Sequence, residues 1–480
     1  MIVRPRLIRL PAVAAAALLA VTVPAAPAVA QPGGDGQASG PTPPPVQDRS
    51  KPGDDGQPDV AYTPKQNTNC VGGLEFDAQP GTIPWGQKVL RFDQLGQFAT
   101  GAGQTVAVID TGVNQHAYLR GRLVGGDDYV ERGGNGLADC DGHGTAVAGV
   151  IAARPPKNGG IGFSGIAPDA TILSIRQSSD YYEFQPRNNP NSTDKREKAG
   201  TPATLAKAIV RAADRGATVI NMSLDSCRPA NEEMTPDEKL LQRALRYAVE
   251  ERDVVVVSSA GNTPAARCEQ NSADPEHPTY IVTPPWFSEY VISVAATQQD
   301  GAVAEFSMHG PWVSVAAPGT NIISLDAGGG ERLTTRSVSS QGQQGPIQGT
   351  SFAAPYVAGL AALIREYFEK LGTPLTAKQV MNRIKVTASH PAGKGGHNIQ
   401  VGYGVVNPVG ALTTKVAGED GIVADHAVAA RFDLPPADTR DWTPERVALI
   451  AAAGALGLLL LTLFIVHTVR RQRRDRPGPT

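Results

Sequence analysis

The chain has 480 residues, 41% hydrophobic and 19% charged, which supplies a sizeable core and excludes a wholly disordered polymer. Forty-four basic and 46 acidic residues leave a formal net charge of −2, so no single-sign field marks a nucleic-acid binder. Gly (52) and Pro (39) are abundant and aromatics scarce at 5%, which points to many loops and some linker.

Residues 1–30 read as a secretory signal peptide. Arg4, Arg6 and Arg9 form a basic start, an apolar stretch runs from Leu10 to Val23, broken by Pro11, and Ala28-Val29-Ala30 is a small-residue cleavage site. Residues 31–60 are rich in Pro and Gly and read as a flexible tether. Residues 61–95, with Cys70, Phe76, Trp85 and Phe92, read as an ordered N-terminal extension, short for a folding pro-domain of its own.

From 96 to 416 strands and helices alternate. Thr105–Ile109 and Thr171–Ile175 are short apolar runs suited to a parallel strand covered on both faces. Residues 178–200 are polar and irregular, an inserted surface loop. Thr201-Pro202 opens a helix that buries Leu205 and Ile209 and stops at Gly216. Thr218–Met222 is the next strand. A charged amphipathic helix over Asp237 to Glu251 follows, then strands at Val254–Val257 and Tyr290–Val294. Repeated β-α-β units imply an α/β domain with a mostly parallel central sheet and helices on both faces. Residues 417–446 form a linker. Val447 to Val466 carries no charge and at helical rise spans about 30 Å, the thickness of a bilayer core. A transmembrane helix is expected over 447–467, with Trp442 at its interface. Arg470, Arg471, Arg473, Arg474 and Arg476 dominate the tail 468–480 and place it in the cytoplasm, with the bulk of the chain outside.

Four cysteines in an exported chain suggest two disulfides. Three pairings are open, and nearness in sequence favours Cys70–Cys140 and Cys227–Cys268. No C-x-x-C spacing supports a zinc or redox motif, and no metal or cofactor is expected.

Three segments carry the chemistry. Val106 to Gly112 puts Asp110 at the carboxyl end of a buried strand, where open α/β sheets build their sites. Asp141 to Gly149 puts His143 between two glycines at the start of an apolar helix. Gly349 to Pro355 puts Ser351 at the start of a long apolar helix, near unsatisfied N–H donors. A weak hydroxyl nucleophile needs a base, His143 titrates in the right range, and Asp110 can fix its tautomer. The chain order Asp, His, Ser is the one found in subtilisin. In a fourth segment Asn262 follows the strand ending Val254 to Ser259 and can donate a side-chain N–H to an oxyanion, with the Ser351 amide as second donor. Gly160 to Gly165 fits a dinucleotide fingerprint, but the strand before and the helix after are missing, so it reads as a surface turn.

All four segments resemble the subtilisin-like serine peptidase family in order and local sequence. The resemblance implies Asp110, His143 and Ser351 as the triad and Asn262 as oxyanion donor. It also implies that Ser223, Leu224 and Asp225 pair with an extended peptide substrate. Asp225 stands where the family often has Gly, which implies a narrowed pocket, one that favours a small or basic side chain, or an Asp225 that points to solvent. Asp127 and Asp128 could bind calcium, as in some relatives, though nothing demands it. The signal peptide, extension, four cysteines, inserted loop and C-terminal helix together resemble the mycosin branch, membrane-anchored peptidases of type VII secretion systems. Stretches such as Cys268 to Asn271 and Ser351 to Gly359 resemble it too. That resemblance implies an extension stapled by a disulfide, exported protein substrates, and association with a secretion membrane complex. A scaffold for such a complex, with catalysis secondary, is the alternative function.

Overall fold

The computed structural model describes residues 42–65, 69–77, 81–156, 162–184, 197–264, 268–338, 342–392, 394–419 and 443–474. The expected signal peptide, most of the linker with Trp442, and the end of the basic tail lie outside the described residues.

The strands within 42–419 include Thr105–Asp110 (β1), Leu123–Asp128 (β2), Thr171–Arg176 (β3), Ser179–Phe184 (β4), Glu197–Ala199 (β5), Val219–Met222 (β6), Ser226–Pro229 (β7), Val255–Ser259 (β8), Tyr280–Thr283 (β9), Ile292–Thr297 (β10) and Val315–Pro318 (β11). Among the described residues, seven of them form one parallel sheet in the order β11-β10-β8-β6-β1-β3-β2. The central strands read as apolar runs because both of their faces are buried. The chain builds β2 and β3 to one side of β1 and β6 onward to the other. The carboxyl end of β1 therefore lies where the strand order reverses, the place where such sheets open a crevice.

Helices cover the sheet: His143–Ala152 (α1), Pro202–Asp214 (α2), Pro236–Arg246 (α3), Thr350–Lys370 (α4) and Ala377–Val386 (α5). α1 and α4 pack on each other and on the sheet, while α2 packs against α3. The starts of α2 and α3 are fixed by local chemistry. Thr201 and Thr235 each close a capping box, with Thr204 and Glu238 respectively, and a proline occupies the first helical position. Such a cap stabilises a helix by about 1 kcal/mol. The expected helix to Glu251 divides into α3 and a wider π turn, Tyr247–Glu251.

Two expectations need correction. The Pro/Gly-rich segment was expected to be a flexible tether, yet residues 42–60 run along α2 and α3. Arg49 pairs with Glu250, Lys51 with Asp214, Asp54 with Arg211, and Asp59 with Lys207. Pro52, Gly56 and Pro58 are buried. Composition excludes a core of its own but not docking as an extended strip, where each exposed pair adds about 0.2–1 kcal/mol. The inserted loop also holds structure. β4 and β5 pair antiparallel, and Thr63–Pro64 of the extension adds to the other edge of β4. The aromatic residues of β4 suit a strand.

The extension is fastened beside the crevice. Cys70 is bonded to Cys140, the Val71 amide donates to the Cys140 carbonyl at 2.8 Å, and the Gly73 and Leu74 amides donate to the buried Asp326 carboxylate at 2.8 Å each. Farther on, Asp77 pairs with Arg336 at 2.7 Å.

Residues 421–480 form a separate unit, described from Thr443 as one helix, Thr443–Arg474 (α6). Its stretch Arg446–Arg471, 26 residues with a mean hydropathy of 2.7, is long and apolar enough to cross a membrane.

Candidate active site

Asp110 ends β1 with its side chain fully buried. Its Oδ1 accepts from the Thr111 amide at 2.7 Å and from His143 Nδ1 at 2.7 Å. His143 reaches that distance because of its neighbours. Gly142 sits at φ 77°, in the left-handed region, and lets the chain turn into α1. A Cβ on Gly144 would collide with the Gly112 carbonyl, so only glycine lets the first turn of α1 lie against the end of β1.

Two further carboxylates lie behind this pair. Asp139 is buried and takes four donors: Thr111 Oγ1 and the Gly142 amide on Oδ1, the Thr145 amide and Thr145 Oγ1 on Oδ2, at 2.6–2.8 Å. It ties the residue after Asp110 to the turn that carries His143. Asp141 accepts from Ser179 Oγ and the Asp180 amide, tying the same turn to the inserted hairpin. Burial lowers the His143 pKa, but the Asp110 charge and its hydrogen bond, helped by Asp139 and Asp141, outweigh it and lift the value to about 9. Burial pushes Asp139 up to about 7 against its Thr145 and Thr111 donors, and raises Asp141 as well.

Ser351 lies in the first turn of α4, after Gly349 at φ 147°. Its Oγ donates to the Ser223 carbonyl at 3.2 Å, and Ser223 Oγ donates back to the Ser351 carbonyl at 2.8 Å. Ser351 Oγ is thus bonded to the Ser223 carbonyl and not to the imidazole. Asn262 is oriented by the Thr350 amide, which donates at 2.9 Å. An amide N–H can only donate, so the accepting atom is Oδ1 and Asn262 Nδ2 is the side that remains to serve as a donor. Ser351, His143 and Asn262 line one cleft of about 490 Å³, and the Phe352 ring packs 5.0 Å from the imidazole.

A second cavity of about 460 Å³ runs from His143 and Thr111 along Ser223 and Leu224 to the hairpin. Asp225 follows and is exposed. Desolvation raises its carboxyl to about 6. The second disulfide, Cys227–Cys268, joins β7 to the segment after Asn262.

Sequence reasoning missed the cleft wall supplied by the extension, Val71 and Leu74, and the hub Asp139. The signal for Asp139 was its place four residues before His143. Asp127 and Asp128, considered for calcium, are held by arginines: Asp128 by Arg176 at 2.7 Å, Asp127 by Arg211 at 2.9 Å and Arg215 at 3.3 Å. Among the described residues no group of three or more His, Cys, Asp or Glu could hold a metal ion. Gly160 and Ile161 of the discarded fingerprint lie outside the described residues.

A model of the subtilase family matches residues 101–404, more than half of the chain. Mycosin-1 of Mycobacterium tuberculosis (strain ATCC 25618 / H37Rv) is 42% identical over 444 residues, which cover 88% of this chain and 93% of the relative. Among solved structures, that of a serine protease MycP1, an essential component of the type VII (ESX-1) secretion system, aligns with 40% identity and a TM-score of 0.69. The alignment covers 77% of this chain and 99% of the other. A chain in the structure of an intact ESX-5 inner membrane complex aligns with 35% identity and a TM-score of 0.67, over 87% of this chain and all of that one.

Proposed function

Because the chain belongs to the subtilase family of serine peptidases, and within it to the mycosins, we propose that it is a membrane-anchored peptidase of a type VII secretion system. It cuts exported proteins outside the cytoplasm, with α6 in the membrane and the arginine-rich tail inside. The observation that carries this reading is the 2.7 Å bond between buried Asp110 and His143, in a cleft shared with Ser351 and Asn262.

The geometry supports the following course. A peptide lies along Ser223–Leu224–Asp225 by main-chain bonding. Its arrival displaces Ser351 Oγ from the Ser223 carbonyl, and the freed hydroxyl donates to His143 Nε2 in the cleft they share. His143 takes the proton while Oγ attacks the carbonyl carbon, and Asp110 holds Nδ1–H and stabilises the imidazolium. Asn262 Nδ2 and the Ser351 amide donate to the oxyanion. His143 then protonates the leaving amine, and water hydrolyses the acyl-enzyme through the same base.

The test is covalent labelling by a fluorophosphonate. Wild type labels, while Ser351→Ala and His143→Ala do not. Folded wild-type protein that stays unlabelled overturns the peptidase reading. A scaffold role is a second reading, favoured by the similarity to a chain of an inner membrane complex. It predicts that secretion survives Ser351→Ala but not deletion of the whole chain.

A further inference from the structure

We infer that Asp225 makes this peptidase select lysine or arginine as the residue immediately before the scissile bond. The inference rests on the peptidase reading above and assigns the substrate class of that cleft.

Asp225 ends the substrate-pairing segment and faces the oxyanion loop across a narrow gap. A Cβ built on Gly261 would stand 3.6 Å from Asp225 Oδ2, 3.2 Å from Val282 Cγ1 and 3.5 Å from Met308 Cβ. Gly261 is covalently adjacent to Asn262. When Asn262 grips the carbonyl oxygen of the residue before the scissile bond, that residue's side chain has to pass between Gly261 and the 223–225 segment. It meets the exposed Asp225 carboxylate there, while Val282 and Met308 behind Gly261 are buried in the core. A lysine or arginine matches this setting, with its cation on Asp225.

The electrostatics agree. Among the described residues Asp225 has no hydrogen bond or ion pair, and the only shift acting on it is desolvation. Beyond Asp225 lies a recess of about 320 Å³ bounded by Leu205, Leu224, Leu241 and Thr283. Its other charged lining residue is Asp180, another acid, and it contains no Lys or Arg. An exposed carboxylate with no cation beside it is complementary to a substrate cation and repels an acidic side chain. The walls are also anchored. Ser226 and Cys227 pair with Thr283 and Val282 in the β7–β9 ladder, and Cys227 is bonded to Cys268, so the carboxylate cannot easily swing away.

The full-length protein in detergent micelles is incubated with a proteome-derived peptide library. Cleavage sites are read by mass spectrometry for wild type, Ser351→Ala and Asp225→Asn. Rates on matched peptides differing only in Lys or Leu before the cut are then normalised to fluorophosphonate-titrated sites, so a misfolded fraction does not count. The expected result is Ser351-dependent cleavage after Lys and Arg, and a Lys-to-Leu ratio of kcat/KM that falls roughly thirtyfold or more in Asp225→Asn. Wild type that labels but cuts after small or apolar residues overturns this inference alone. So does basic selection at another position, or a ratio that Asp225→Asn does not move. Wild type that neither labels nor cuts overturns the peptidase reading and this inference with it.

Discussion

The two sides of the cleft are held in different ways. The imidazole side is fastened by carboxylates: Asp110 binds the ring, Asp139 gathers four donors from both supporting segments, and Cys140 is bonded to the extension. The serine side is held by neutral contacts, an exchange of bonds between Ser351 and Ser223 and one amide bond orienting Asn262. On the peptidase reading we propose, the difference means that the proton acceptor is preorganised while the serine hydroxyl is held elsewhere until substrate arrives. A buried charged network is expensive to leave half-satisfied, whereas a hydroxyl can change partners by one rotation.

The largest effects break the comparison altogether. Replacing Ser351 or His143 by Ala removes the unit that both sides build, and kcat falls by about 10⁶-fold, measured on a fluorogenic peptide with the residual rate from binding and oxyanion contacts. Next comes Asn262→Ala on the serine side. It leaves the Asp110–His143 bond in place and removes one donor, so kcat falls by about 10²–10³-fold with little change in KM. An equal fall in Asn262→Ala and Ser351→Ala would show that Asn262 holds the loop and not the oxyanion.

Asp139→Asn tests the imidazole side. An Asn keeps one acceptor oxygen but turns an NH₂ toward groups that must donate, the Gly142 or Thr145 amide. Leaving a buried, hydrogen-bonded donor without its acceptor costs about 1–3 kcal/mol, read as a lowered midpoint of thermal or urea unfolding. The corresponding serine-side change, Thr350→Ala, retains the Thr350 amide bond to Asn262 and removes a hydroxyl contact at 3.2 Å and a buried methyl, so its unfolding midpoint shifts less.

Much of this site was legible in the sequence because its chemistry sits at element ends, where local rules are strong. Asp110 follows a buried run, His143 lies between glycines with a steric reason to be there, and Ser351 begins an apolar helix. What escaped was set by tertiary contacts. β2 reads LVGGDD and lacks strand character, yet a Cβ on Gly126 would strike Ile175 of β3, so the glycine that hides the strand is what lets it pack. The strip 42–60 has a linker's composition, and its charges acquire meaning only against Glu250, Asp214, Arg211 and Lys207 on the domain surface. Val71 and Leu74 enter the cleft wall only because Cys70 and Asp326 bring them there.

The smallest effect sharpens the contrast by changing charge without breaking the His143 contact. Free His143 must be neutral to accept the serine proton, so kcat/KM rises with pH through the imidazole value, about 9 in this chain. Asp141 is one of the carboxylates that raise it, and it contacts Ser179 and the Asp180 amide, not the ring. Asp141→Asn removes a negative charge, so the midpoint of the pH–rate profile moves down toward the ordinary histidine range. Activity at neutral pH then rises relative to the plateau. Stability responds with the opposite sense. The imidazolium–carboxylate attraction is complete below the unfolded value of about 6.5 and is lost as pH climbs through about 9. Asp141→Asn weakens that contribution on the acid side and leaves the loss at high pH smaller. A profile whose midpoint stays put in Asp141→Asn would mean that Asp110 alone sets the base, and that the surrounding carboxylates organise the turn without tuning it.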